Sequence, residues 1–215
     1  MTNLFVETNK QMNFRLQKFT ELSGSTGITV LYQNDKFYCA SVGDSEAGIL
    51  TRVSDKNYVL KMVSNPHLPS DPVEEKRICE YGGRIQPFKL PDGEFVGPPR
   101  IWRPEKDIPG LMMSRTFGDR VGHSCGITDV PEVMVEKRNP EQKCLVLGSD
   151  GVFEILTKET IVGVLVAHLK HQNSELAAEE LVEKATAKWR EKTNYRDDIT
   201  VVVAYMNCNI PKIVL

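Results

Sequence analysis

Apolar residues recur at intervals of three or four, or their sums, through residues 4–22: Leu4, Phe5, Met12, Leu16 and Phe19. That spacing predicts a helix. Ser23-Gly24-Ser25 is expected to end it, with Gly24 as a left-handed cap. The period then changes. Residues 26–32 and 37–42 are rich in β-branched and aromatic side chains, and the turn formers Gln33-Asn34-Asp35-Lys36 separate them. Residues 47–51 follow the tight turn Gly43-Asp44-Ser45, and residues 58–63 add a fourth run. Short runs with turn punctuation predict an antiparallel meander.

Further along, Asp71 and Pro72 supply an N-cap and a first helical position for a short helix over 71–81, which Gly82-Gly83 stops. From residue 84 to residue 130 proline and glycine are frequent and no clean period survives, which predicts a long functional loop system. Its apolar residues, Trp102 and Phe117 among them, require that it be packed. Residues 133–136 and 143–147 read as a hairpin around Asn139-Pro140. Two helices follow, over 158–171 and 174–192. Their apolar stripes run through Ile161, Val162, Leu165 and Leu169, and through Leu176, Leu181, Val182, Ala185 and Trp189. A last strand is expected over 199–205, and the tail to Leu215 is expected to be an edge strand or loose. Strands, then a helix and loops, then strands and helices do not make a βαβ alternation. The pattern predicts an α+β fold with antiparallel sheets, in a single domain over residues 1–215.

Composition changes this picture little. The chain has 215 residues, 40% hydrophobic and 26% charged, which suits an ordinary globular core. A formal net charge of −2 argues against an electrostatic grip on nucleic acid. No apolar run is long enough to predict a membrane span, and the N-terminus lacks the apolar stretch of a signal peptide. The cysteines, at 39, 79, 125, 144 and 208, are odd in number and scattered. They predict reduced thiols in a cytoplasmic or nuclear protein, and they are not spaced with the histidines as a zinc site.

Candidate chemistry lies where apolar strands break off. Asp44 follows the 37–42 run, Asp150 follows 145–147, and Asp197 precedes 199–205. Carboxylates gathered at one edge of a sheet, with water completing the shell, suit Mg²⁺ or Mn²⁺. Aspartate is also a plain turn former, and spacing by itself does not bring the three together.

Short motifs in order carry a family resemblance. Gly24-Ser25-Thr26 and Val42-Gly43-Asp44-Ser45 resemble the GST and VGDS strands of the protein phosphatase 2C family. His67, Pro69, Glu74, Arg77-Ile78 and Gly82-Gly83 are similar to its HKP, E..RI and GG segment. The run from Gly110 through Ser114-Arg115 to Gly118-Asp119 resembles GLAVSRAFGD. Gly148-Ser149-Asp150-Gly151 resembles LASDG, and Asp197-Asp198-Ile199-Thr200-Val201 resembles DNITV. The Gly97-Pro98-Pro99-Arg100-Ile101-Trp102 stretch is similar to plant and protist members.

The resemblance implies an antiparallel β-sandwich flanked by helices. It also implies hydrolysis of phosphoserine and phosphothreonine in phosphoprotein substrates by metal-activated water, with two Mg²⁺ or Mn²⁺ ions in the complete family site. Asp150 and Asp197 then stand as metal ligands and Asp44 as an assisting one. Asp119, Gly151 and Asp198 support the site. The substrate-binding residues stay unassigned within a flap over residues 84–108, opening at Arg84 and closing at Ile108.

Some positions depart from the family pattern. Glu46 stands where arginine is usual, Leu68 where lysine is usual, and Asp198 where asparagine is frequent. No Asp-Gly-His occurs in the chain, whereas the family carries Asp-Gly-His-Gly-Gly near its start. The expectation is that this chain corresponds to the C-terminal two-thirds of the domain and lacks the leading strands. It should hold at most one weakly bound divalent ion and be weak or inactive in catalysis alone. Exposed edges are expected to be covered by an N-terminal segment or a second copy. The alternative is a catalytically inactive pseudophosphatase serving as a binding module.

Overall fold

A computed structural model describes residues 1–192 and 197–206. In chain order the helices are α1 (Thr2–Leu16), α2 (Pro72–Glu80), α3 (Arg120–His123), α4 (Asp150–Phe153), α5 (Lys158–Ala167) and α6 (Ser174–Lys192). The strands are β1 (Gly24–Ser25), β2 (Gly27–Gln33), β3 (Lys36–Val42), β4 (Glu46–Ser54), β5 (Asn57–Met62), β6 (Arg84–Lys89), β7 (Phe95–Arg103), β8 (Lys106–Leu111), β9 (Phe117–Gly118), β10 (Glu132–Lys137), β11 (Gln142–Gly148) and β12 (Val201–Tyr205). The architecture is α+β with antiparallel sheets, as the chain pattern predicts. The chain divides into two compact units. One comprises Met1–Thr29, Ala40–Asp44 and Asn65–Val133, the other Val30–Cys39, Ser45–Ser64 and Met134–Leu215.

The second unit is built on a sheet of order β12-β11-β4-β5. Strand β11 alternates buried and partly buried residues without a break, as a central strand must when its two faces differ. Above the sheet lie α5 and α6. Leu50, Val146, Ile161, Leu165, Leu181 and Trp189 form one continuous core with them. Helix α6 buries Ala177, Leu181, Ala185 and Trp189, an unbroken i, i+4 stripe. The expected stripe was too wide on one side, because Leu176 is 48% exposed.

In the first unit, Asp71 caps α2 by accepting from the amides of Val73 and Glu74 at 2.9 and 3.4 Å, ahead of Pro72. Helix α1 departs from expectation. It ends at Leu16, and the left-handed residue is Gln17, not Gly24, which lies in β1. Its buried positions are Phe5 and Asn9. Phe5 stacks on Phe117 at a ring-centroid distance of 5.3 Å. Leu4, Phe14 and Leu16, and Phe19 beyond the helix, are exposed, so much of the apolar spacing that predicted the helix marks an open surface.

Three further expectations are corrected. The proline-rich stretch after residue 84 is a three-stranded sheet of order β6-β7-β8, not irregular loop. Its register slips between Gln86 and Phe88 and again around Trp102. Such irregularities are where a sheet accommodates the prolines that hid its period. The predicted meander is two hairpins in two sheets, since β3 lies in the sheet of order β10-β3-β2 and β4 pairs with β5. The predicted hairpin around Asn139-Pro140 does not form either, because β10 pairs with β3 and β11 lies between β12 and β4. The β2–β3 turn is as expected. Asn34 and Asp35 both take positive φ, 51° and 56°, as the two-residue turn of a twisted hairpin requires. The expected tail after residue 206 lies outside the described residues.

Deleting the Leu181 side chain leaves a cavity in a fully packed core. Leu181→Ala should lower the unfolding free energy by about 2–5 kcal/mol. Leu176→Ala, one turn away and half exposed, should change it by less than about 0.5 kcal/mol. Urea titration of both variants, with the slope unchanged, checks the assignment.

Candidate metal centre and its supporting network

Strand β11 ends at Gly148 and α4 begins at Asp150, which places Ser149 at the N-cap position. Ser149 makes no side-chain cap bond there. Its hydroxyl instead donates to the carbonyl of Asp198 at 3.0 Å and accepts from the amide of Thr200 at 3.1 Å. The Ser149 amide also donates to the Thr200 carbonyl at 3.1 Å. The end of β11 is thereby fastened to the segment that leads into β12, and that segment carries Asp197.

Gly151 completes the fastening. A Cβ there would sit 2.4 Å from the Asp198 carbonyl oxygen, so only glycine permits this approach. The Gly151 carbonyl accepts from Trp189 Nε1 at 2.8 Å, which anchors the turn to α6. The Gly151 amide donates to Asp150 Oδ1, and the Asp198 amide to Asp197 Oδ1, both at 2.8 Å.

Asp150 and Asp197 are thus brought close enough to act on each other. Burial raises the Asp150 pKa above the ordinary carboxylate value, and the Asp197 charge raises it further, with Glu154 adding a smaller push. Among the described residues, none of the groups just named as shifting it is cationic. Hard oxygen donors that repel one another fit a hard divalent cation such as Mg²⁺ or Mn²⁺, which would relieve the repulsion. They are too few to hold two such ions at close range. Among the described residues no group of three or more His, Cys, Asp or Glu side chains stands together.

Asp44 and Asp119 belong to the first unit. Asp44 lies in the bend after β3, half buried. His67 braces that bend: its amide donates to the Gly43 carbonyl at 3.0 Å, and Nδ1 meets the same oxygen at 2.9 Å, so Nδ1 carries the proton. Burial pushes the His67 pKa down, and the Arg115 charge acts in the same direction. Asp119 is buried, takes φ 45° and precedes α3. Its carboxylate occupies the space that a Cβ on Gly24 would fill, 2.0 Å from Oδ2. Burial raises its pKa as well.

The strongest electrostatic feature was read only as a motif fragment. Glu74, on α2, is 2% exposed. Arg77 grips its carboxylate with two guanidinium nitrogens at 2.7 and 3.0 Å, and Arg115 Nη2 reaches it at 2.6 Å. The Ser114 hydroxyl donates to it too. Burial alone would raise its pKa, but the bonds from Arg115, Arg77 and Ser114 outweigh that and hold the carboxyl far below the usual range. Beyond the carboxylate, Arg77 Nε donates to the Gly126 carbonyl at 2.8 Å and Arg115 Nη1 to that of Val130 at 3.1 Å. A sequence signal existed, since Glu74 and Arg77 lie at i, i+3 on one helix. Nothing local pointed to Arg115, 41 residues away.

Asn9 was missed altogether. It donates to Asp129 Oδ2 at 2.7 Å and accepts from the Gly118 amide at 2.8 Å, and so fixes α1 to the segment that carries Asp119. A lone asparagine in an amphipathic helix gives no warning of this.

The fold is α+β with antiparallel sheets, and it sets two carboxylates together where β11 ends. The family profile described as protein phosphatase 2C matches residues 1–193, and the chain belongs to that family of serine/threonine phosphatases. It is similar to "Probable protein phosphatase 2C 73" of Oryza sativa subsp. japonica, 33% identical over 95% of this chain and 48% of the relative. It is also similar to "Probable protein phosphatase 2C 72" of Arabidopsis thaliana, 34% identical over 89% of this chain and 57% of the relative. The chain therefore spans about half the length of the curated relatives it matches. Among solved structures, a serine-threonine phosphatase 2C from Toxoplasma gondii shares the fold with a TM-score of 0.80 at 19% identity, over 95% of this chain and 65% of that one. A sex determining protein of C. elegans does so with a TM-score of 0.74 at 19% identity, over 94% of this chain and 45% of that one.

Removing one partner of the Glu74 cluster strands the other charges. Glu74→Gln or Arg115→Met should cost about 3–5 kcal/mol in chemical denaturation. The folded-state pKa of Glu74 is depressed, so its contribution is full above the ordinary carboxylate value of 4.5 and is lost as pH falls below it. The stability gap between wild type and Glu74→Gln should accordingly shrink between neutral pH and about pH 3. A gap that is constant with pH would contradict the assignment.

Proposed function

We propose that this chain carries part of the active site of a metal-dependent protein phosphatase that hydrolyses phosphoserine and phosphothreonine. The supporting observation is the Asp150–Asp197 pair, with its mutual repulsion and its brace of Ser149, Gly151 and Asp198. In this reading Asp150 and Asp197 hold Mg²⁺ or Mn²⁺, and Asp44 assists. A divalent ion bound there supplies charge neutralisation for the phosphoryl oxygens and lowers the pKa of water. The protein's own share is positional. Ser149 and Gly151 keep the carboxylates from moving apart, Trp189 holds the Gly151 turn, and Asp119 supports the Gly24 segment of the first unit. The β6-β7-β8 sheet is the flap, and substrate contacts are expected on it. The exposed apolar residues of α1 favour cover by further chain, either a preceding segment or a second copy.

A second reading, a binding module without catalysis, draws on two observations. The sequence contains no Asp-Gly-His, and the described residues include no three-ligand cluster. The two readings separate in one assay. Hydrolysis of p-nitrophenyl phosphate with Mn²⁺ should be weak but measurable in the wild-type chain and fall to background in Asp150→Asn. Equal rates in the two proteins would remove the catalytic assignment. Calorimetric titration should give at most one weakly held Mn²⁺ per chain, as expected where protein ligands are few and water fills the shell. Two tightly bound ions would contradict the ligand set named above.

A further inference from the structure

Strand β5 is the outer strand of its sheet and pairs with β4 on one side only. The amide of Val63 donates to the Ala47 carbonyl at 2.9 Å, just beyond the pairs Gly48–Met62 and Leu50–Leu60. Bonded and non-bonded pairs alternate in an antiparallel ladder. Tyr58, Leu60 and Met62 therefore turn their backbone N–H and C=O groups away from β4, to the side where no further strand pairs among the described residues.

Along that side runs a groove of about 450 Å³, open to solvent, between β5 and α5. Tyr58 and Leu60 form one wall, and Val162 and Val166 the other. Helix α5 buries Ile161, Val164 and Leu165, while Val162 and Val166 are only partly buried, packing against the edge of the core and also lining the groove. Gly163 lies between them, and a Cβ there would meet nothing within 4 Å. Lys56, Lys158 and Glu159 stand at the rim; the Lys158 charge acts on Glu159, but neither lysine is in salt-bridge contact with a carboxylate among the described residues, and the two lysines leave the rim net positive. Lys158 opens α5, where the positive end of the helix adds to its charge.

We infer that this groove is a docking site for an extended peptide segment of a partner protein, with apolar side chains at alternate positions and an acidic flank. The peptide adds as a strand to β5, and backbone hydrogen bonds supply affinity. Its alternate side chains enter the groove over Gly163, and its carboxylates meet Lys56 and Lys158. Lysines on an open edge also deter pairing with another copy of the same edge, so the same two charges that select an acidic strand reject a second copy. The inference does not depend on catalysis, because every residue involved lies outside the carboxylate pair and its braces.

The test uses fluorescence polarisation with the described chain and an acetylated, fluorescein-labelled octapeptide that alternates isoleucine and threonine and ends in two glutamates. Saturable binding in the micromolar range is expected. A peptide N-methylated on alternate amides, which cannot add to a strand edge, should bind roughly tenfold more weakly or not at all. Gly163→Leu puts a side chain into the groove from a position where its Cβ has open space and improves helix propensity, so its unfolding midpoint should be unchanged or higher while binding is lost. The double variant Lys56→Glu, Lys158→Glu should weaken binding roughly tenfold. Equal binding of the octapeptide by wild type and Gly163→Leu overturns the proposal, as does no saturable binding by the wild type. Loss of phosphatase activity in Asp150→Asn with peptide binding intact would show that the two sites are separate.

Discussion

In the first unit the arrangement rests on one buried carboxylate. Glu74 cannot stay ionised at 2% exposure unless its charge is matched. Arg77 from the same helix and Arg115 from a distant segment supply the match. Each arginine has donors to spare, and these reach the carbonyls of Gly126 and Val130. Helix α2, the Ser114–Arg115 segment and the 126–130 stretch are therefore held by one electrostatic knot. The Ser114 amide donates to the His67 carbonyl at 2.8 Å, and His67 in turn braces Gly43, so the knot reaches the bend that carries Asp44. An apolar cluster of Ile78, Ile101, Cys125 and Ile127 lies in the same unit. It supplies burial, while the ion pairs supply direction, since guanidinium–carboxylate contacts are geometrically strict.

The second unit treats its carboxylates in the opposite way. Asp150 and Asp197 are held near each other, and among the described residues the groups named above as acting on Asp150 include no cation. Left alone, such a pair would move apart. It is kept together by neutral bonds: the Ser149 hydroxyl between the Asp198 carbonyl and the Thr200 amide, and the close contact that Gly151 allows. Glu74 is pulled far down by its partners, whereas Asp150 is pushed up by burial and by its neighbour, so the two units treat a partly or fully buried carboxylate in opposite ways.

Helix α5 shows how one element serves two surfaces. A helix whose apolar residues lie on one side only would be fully accounted for by the core. This one buries Ile161, Val164 and Leu165, while Val162 and Val166 pack against the edge of the core and also line the groove beside β5. Periodicity alone merges the two stripes into one wide face, which is why residues 158–171 read simply as a buried helix.

Much of this protein was legible in the residue order. Asp71-Pro72 announced α2, Asn34-Asp35 announced a tight hairpin, and the glycine and aspartate pattern of the motifs announced the family. These signals act over a few residues, through capping, allowed φ and turn geometry, so the neighbours in sequence suffice to determine them. What the tertiary structure decided was partnership. Strand β10 pairs with β3 instead of β11, because a half-buried strand satisfies its hydrogen bonds with any edge of suitable length, and only the assembled sheets select one. Of the apolar residues of α1, Phe5 found a small core with Ala40 and Val42, while Leu4 and Phe14 found none. Ser149 stands at the N-cap position of α4 yet serves as a clamp, because the segment it holds arrives 49 residues later. Arg115 became the partner of Glu74 for the same reason. Local preference is a property of adjacent dihedrals and side chains, whereas the matching of a buried charge or an unpaired carbonyl depends on what folding brings alongside it.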